Sequence, residues 1–144
     1  MSSPAPPMLA PDLEDLRPDI RLKISAVLER LTARGFVPRL SEVRRTRERA
    51  AWNKAHGVSK AGTASLHVGD PGHVRAADIV DGRRDSAGLL ILWGGSLTGT
   101  PDARRLERQT SAREFFAALG EEAIRAGLTW GGSWGWDSAH VESP

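Results

Sequence analysis

Four histidines and no cysteine are available to this chain for metal or acid–base chemistry: His56, His67, His73 and His140. Without thiols, disulfides and thiolate metal sites are excluded, and a metal has only His, Asp or Glu to hold it. Two segments bring those residue types close together. In "SLHVGDPGHVRAADIV" (65–80), His67, His73 and Asp78 lie within twelve residues. In "WDSAHVE" (136–142), Asp137 stands three residues before His140. Hydrolytic zinc sites take three protein ligands and keep a fourth position for water. A carboxylate beside such a site can handle the water's proton while an imidazole binds the metal. Taken alone, either pattern also suits a solvated hairpin or a polar chain end.

Two further groupings bear on chemistry. "SEVRRTRERAAW" carries five charged residues from Arg44 to Arg49, which suits a solvated helix face, a phosphate patch or one arginine aimed at a carboxylate or carbonyl oxygen. No aromatic residues interleave with these arginines and no second basic stripe follows, so nucleic acid is not the expected partner. Trp130, Trp134 and Trp136 fall within seven residues of one another among glycines. At least one should pack in the core, and the others, Trp134 among them, can line a groove for an extended ligand.

The elements that must position these residues follow from pattern. Proline at 18 and an apolar face of Ile20, Ile24, Val27, Leu28 and Leu31 predict a helix that stops at Gly35. "FVPRLSEV" (36–43) predicts a strand, at a sheet edge because of Pro38. Thr46 should cap a short helix, "RERAAWNKAH", ending at Gly57. Residues 57–66 and 94–103 read as loops. "HVRAADIV" (73–80) and "GLLILWG" (88–94) read as strands joined by the charged turn "DGRRDSA", with Asp70 and Asp81 as turn residues. Ser111 and Glu114 form a capping box for a third helix, with Phe115, Phe116, Leu119 and Ile124 on its apolar side and Gly127 at its end. The expected fold is therefore α+β, with about three helices and a small, mainly antiparallel sheet.

The chain's 144 residues suffice for one domain, and 40% hydrophobic with 26% charged residues is an ordinary globular balance. Residues 1–12, rich in Pro, Ser and Ala, read as a flexible tail before a domain spanning 13–144. The formal net charge of +2 suits an anionic partner without naming one. No apolar run approaches the roughly 18 residues of a membrane span, so membrane insertion is not expected. The first residues lack the basic start and apolar core of a secretory signal. That predicts a chain made in the cytoplasm; a monomer is expected.

In order along the chain, these segments resemble the zinc peptidases of bacterial cell-wall peptides, which include D-alanyl-D-alanine carboxypeptidases and the L-alanyl-D-glutamate endopeptidases of bacteria and phage lysis systems. "RRTRERA" (44–50) resembles the family's "YRT-x-ERQ" stretch and sets Arg45 on its arginine. "GVSKAGTASLH" matches its "G-x-S", and "GLTWGGSWGWDSAHVE" matches its ending, "GL-x-WGG-x-W" followed by D-x-x-H. The departure lies at "S-x-H-x-x-G-x-A-x-D", where the family spaces His and Asp by seven. His67 and Asp78 are eleven apart. Removing "GDPG" restores the spacing, puts Ala76 and Asp78 in A-x-D, and sets Val74 where the family has glycine. The competing register makes His73 the ligand; the S-x-H context of Ser65 favours His67.

The resemblance implies a fold of the lysostaphin, D-Ala-D-Ala peptidase and hedgehog-like kind. It implies Zn²⁺ held by His67, Asp78 and His140, with Asp137 as the proton carrier. Arg45 would stabilise an oxyanion or bind a substrate carboxylate. Ser65 and Trp134 would contact the peptidoglycan stem peptide, and His56 and His73 would be surface residues. The implied activity is L-alanyl-D-glutamate endopeptidase or D-alanyl-D-alanine carboxypeptidase, acting at the wall in phage lysis, in a virion or in bacterial remodelling. The inserted turn and Val74 also admit a wall-binding module without catalysis.

Overall fold

Apolar residues at three- and four-residue steps put Ile20, Ile24, Val27 and Leu31 on one buried face of helix α1 (Pro18–Ala33), whose first residue is the proline. The computed structural model of the chain describes residues 4–59 and 61–144. Met1 to Ser3 of the expected tail and Lys60 of the expected loop lie outside the described residues. Within that tail, the carbonyl of Pro6 accepts a hydrogen bond from Arg49 at 2.7 Å.

Strand β1 (Pro38–Glu42) is followed by α2 (Arg47–Ala55), capped by Thr46, whose hydroxyl oxygen accepts from the Arg49 N–H at 3.0 Å. Then come β2 (Ala76–Arg84), β3 (Leu90–Leu92), α3 (Asp102–Arg125), β4 (Thr129–Trp130) and β5 (His140–Glu142). All strand pairings are antiparallel, in the order β1-β2-β5-β4 with β3 also on β2. Pro38 opens β1, which pairs only with β2 and so sits at an edge, where a missing N–H costs no ladder bond.

β2 divides the molecule by its alternation. Ala77 and Ile79, with Val141 of β5, join the core formed with Leu16, α1 and the Phe115, Leu119 and Ala123 side of α3. Asp78 takes the opposite face, and β5 pairs it directly with His140. One face of the sheet is thus the core, and the other is free to carry chemistry.

Two expectations about the middle of the chain are corrected. The turn expected at "DGRRDSA" is strand as far as Arg84, and Asp81 is a fully buried strand residue. Its carboxylate accepts from Arg83 Nε and Nη2, both at 3.0 Å, and from Ser111 Oγ at 2.6 Å, so the charge is matched inside the fold. Gly82 is there for close approach, since a Cβ on it would stand 2.6 Å from the Val37 carbonyl oxygen. The third helix begins at Asp102, and Ser111 lies inside it instead of capping it. Tertiary contacts extend the helix through the polar stretch "DARRLERQ": Arg104 and Arg108 reach back to Asp85 at 2.9 and 2.7 Å.

Candidate metal centre and catalytic cleft

Three segments deliver three side chains to one point on the open face of the sheet. Asp78 and His140 are opposite partners in β2 and β5, which by itself sets their side chains next to each other. His67 comes from the loop after a short 3₁₀ turn (Gly62–Ala64). Its backbone carbonyl accepts from Arg45 N at 2.8 Å, and its backbone N–H donates to Ser65 Oγ at 3.3 Å. His67 Nε2 lies 3.1 Å from Asp78 Oδ1 and 3.2 Å from His140 Nδ1, and the latter pair is 3.0 Å apart. His67 and His140 are buried.

The far side of each imidazole fixes what the near side offers. His67 Nδ1 is 2.7 Å from the Val43 carbonyl oxygen, which can only accept, so that nitrogen carries the proton. His140 Nε2 is 2.7 Å from Glu142 Oε1 and donates to it in the same way. Two imidazole lone pairs and a carboxylate oxygen therefore converge with no proton among them, an arrangement that a cation satisfies. The spacings approach the edges of a tetrahedron, about 3.3–3.5 Å for zinc bonds of about 2.0–2.2 Å. Two nitrogens, each on a ring with a hydrogen-bonded partner behind it, and one carboxylate oxygen form a donor set that fits Zn²⁺.

Protonation is the other way to satisfy the cluster. Burial alone would push the His140 pKa down, but the carboxylates of Asp78 and Glu142 outweigh it and raise the pKa above the ordinary histidine value. Burial likewise opposes ionisation of Asp78, yet the adjoining imidazoles of His140 and His67 hold its carboxyl well below the usual range. Asp137 differs. Burial raises its pKa, helped by the charge of Asp78 and opposed by His140, His67 and Arg45. Its Oδ2 lies 3.9 Å from His140 Nδ1.

These groups open on a cleft of about 670 Å³. Arg45, Ser65, Trp134 and Asp137 line it with His67, Asp78 and His140, so every residue singled out for the site meets there. The Trp134 ring lies 5.5 Å from that of His140, and Trp130 packs against the core, its indole N–H donating to Ser138 O at 2.7 Å. His73 is exposed beyond the "GDPG" turn, away from the cluster, and His56 stacks on Trp52 at the end of α2. The turn is tied down at its edges by bonds from Gly72 N and Val74 N to Asp15 O, both 3.0 Å. Val74, the position at which the resemblance leads one to expect glycine, is fully buried in the core and does not line the cleft. Gly131 matters to the site because a Cβ on it would fall 2.3 Å from Asp137 O and 3.0 Å from His140 Cβ.

Two residues of the site escape the sequence reading. Glu142 orients His140, and the signal was present: residues two apart on a strand share a face. Glu42, buried, pairs with both Nε and Nη2 of Arg45 and holds its guanidinium at the cleft wall. A glutamate three residues before an arginine is too common to signal this.

No family model matches the chain, and no curated protein does. Among solved structures it is similar to the crystal structure of the Serratia marcescens L-Ala D-Glu endopeptidase ChiX. The TM-score is 0.58 and the identity 21%, over 92% of this chain and 83% of that one. The chain has the fold of that endopeptidase, α+β with three helices and a small antiparallel sheet, as the sequence led us to expect.

Proposed function

We propose that the protein is a zinc-dependent peptidase of peptidoglycan stem peptides. The observation that carries this is the convergence of two imidazole lone pairs and one carboxylate oxygen at the floor of an open cleft, with a second, more basic carboxylate beside them. His67, Asp78 and His140 would hold the ion. Bound there, zinc would acidify water and polarise the scissile carbonyl. Asp137 takes the proton of the attacking water and returns it to the leaving amine. Its burial keeps the carboxylate basic enough for both steps, and such proton transfer is worth about 10²–10⁴-fold in rate. Arg45, braced by Glu42, faces the developing oxyanion or a substrate carboxylate. Ser65 and Trp134 line the path of the peptide.

The likeness to an L-Ala D-Glu endopeptidase supports a cell-wall peptide as substrate and favours cleavage between L-Ala and D-Glu over release of terminal D-Ala. The place of action is then the bacterial wall. Digestion of purified peptidoglycan, with mass analysis of fragments and metal analysis of the protein, tests the reading. The expected result is about one equivalent of zinc and new amino-terminal D-Glu or D-isoglutamine ends. Released D-alanine would make it a carboxypeptidase. Zinc without products would overturn the substrate, and a folded protein that takes up no metal would overturn the enzyme.

A further inference from the structure

A second space adjoins the cleft at Asp137. This cavity of about 450 Å³ lies between the loop after β3 and α3, and Trp136 and Asp137 line both spaces. Trp93, Gln109, Arg113 and Phe116 form much of its remaining wall. Trp93 and Trp136 are 56% and 68% exposed, a large indole area left in water. Trp93 is nevertheless held on a constrained backbone. Leu92 before it is the one non-glycine with positive φ among the described residues, at 57°. Gly94 after it has φ 79° and presses onto α3, where a Cβ would stand 2.5 Å from Ala112 Cβ. A leucine adopts such a conformation at a cost in free energy, and strain of this kind gathers at ligand clamps.

The lining has a definite chemistry. It offers two indoles with electron-rich faces, one neutral amide, one guanidinium and a single carboxylate. Pyranose chairs with apolar C–H faces and peripheral hydroxyl and acetamido groups match it: C–H faces stack on indole, while amide and guanidinium meet the polar rim. One exposed arginine is little for an anion. We infer that this cavity is a saccharide subsite, taking an N-acetylhexosamine ring of the glycan from which the cleaved peptide hangs. The glycan's identity rests on the peptidoglycan reading above; the two spaces adjoin, with Trp136 and Asp137 in the wall of each.

Titration of tri-N-acetylchitotriose into the full-length protein, followed by tryptophan fluorescence and NMR shifts, tests the subsite. Saturable binding that weakens about tenfold or more in Trp93→Ala is expected. No saturable response, or unchanged affinity in the variant, would overturn it. If Trp93→Ala fails to fold, Gln109→Ala in the same cavity carries the test. Kinetics on a free stem peptide and on the same peptide attached to its disaccharide separate this inference from the proposed function. The sugar should lower KM about tenfold, and Trp93→Ala should bring the two KM values together. Equal KM values in the unaltered protein would overturn the saccharide subsite and leave the peptidase standing. Chitotriose binding without cleavage of either peptide would support the subsite and overturn the peptidase.

Discussion

Two buried charge clusters flank the central strand, and they are satisfied in opposite ways. Just past β2, Asp85 accepts from the N–H groups of Ala87 and Leu89 at 2.9 and 3.0 Å, from Arg104 Nε at 3.0 Å and from Arg108 Nη1 at 2.7 Å. Arg108 spends its other donors on the carbonyls of Gly95, Leu90 and Ile91. Every lone pair there has a proton. On the other face of the sheet, His67, Asp78 and His140 point lone pairs at one another, and their protons are turned outward to Val43 and Glu142. The Asp85 carboxylate is fully paired, and the cluster joins α3 to the strands. The second is complete only with a cation or an extra proton, so binding energy is stored at that point.

The contrast is broken most forcefully by removing a histidine. His67→Ala or His140→Ala should take zinc from about one equivalent to near none and abolish hydrolysis, while circular dichroism shows the fold retained. His73→Ala should leave metal content as it is. Metal lost with His73 and kept without His67 would mean that the turn is inserted elsewhere in the register. Next in size, Asp137→Asn should lower kcat by about 10²–10⁴-fold with zinc still bound; a loss of metal in that variant would make Asp137 a ligand.

Arg108→Ala should do the reverse of the histidine variants, lowering the thermal midpoint by on the order of 10 °C without changing zinc stoichiometry. The same cluster gives an acid limit. Burial opposes the charge on Asp85, but the Leu89 N–H, Arg108, Arg104 and the Ala87 N–H together hold its pKa well below the ordinary value. A carboxyl with a lowered folded pKa gives stability that is full above its unfolded pKa of about 3.9 and lost as pH falls toward the folded value. Unfolding curves at successive pH values should show that loss in the unaltered protein and much less of it in Asp85→Asn.

The smallest effect is expected of Glu142→Gln, which keeps all three converging donors and should weaken zinc about 10- to 100-fold. Metal titrations at falling pH sharpen the point. Because His140 has a raised pKa, protons should compete for it from above the ordinary value of about 6.5 downward. Zinc affinity should therefore decline over that range, and a flat profile would remove His140 from the site.

Periodicity made α1 legible, Pro38 marked an edge strand, and Thr46 marked the start of α2, because each rests on interactions within a few residues. The start of α3 and the strand character of Asp81 were not legible. Both depend on pairs formed across the chain, Asp85 with Arg104 and Arg108, and Asp81 with Ser111. In local sequence those residues look like a polar loop.

The same boundary runs through the site. Residue types and spacing already named His67, His73, Asp78, Asp137 and His140 as candidates, the family resemblance favoured His67 over His73, and the absence of cysteine limited the chemistry to nitrogen and oxygen donors. Tertiary structure decided the rest. The pairing of Asp78 with His140 and the anchoring of His67 to Val43 set the spacing of the three donors. The outward hydrogen bonds to Val43 and Glu142 decided which nitrogen of each ring faces inward. Sequence lists the donors, but the direction of a lone pair depends on a partner that only folding brings within reach.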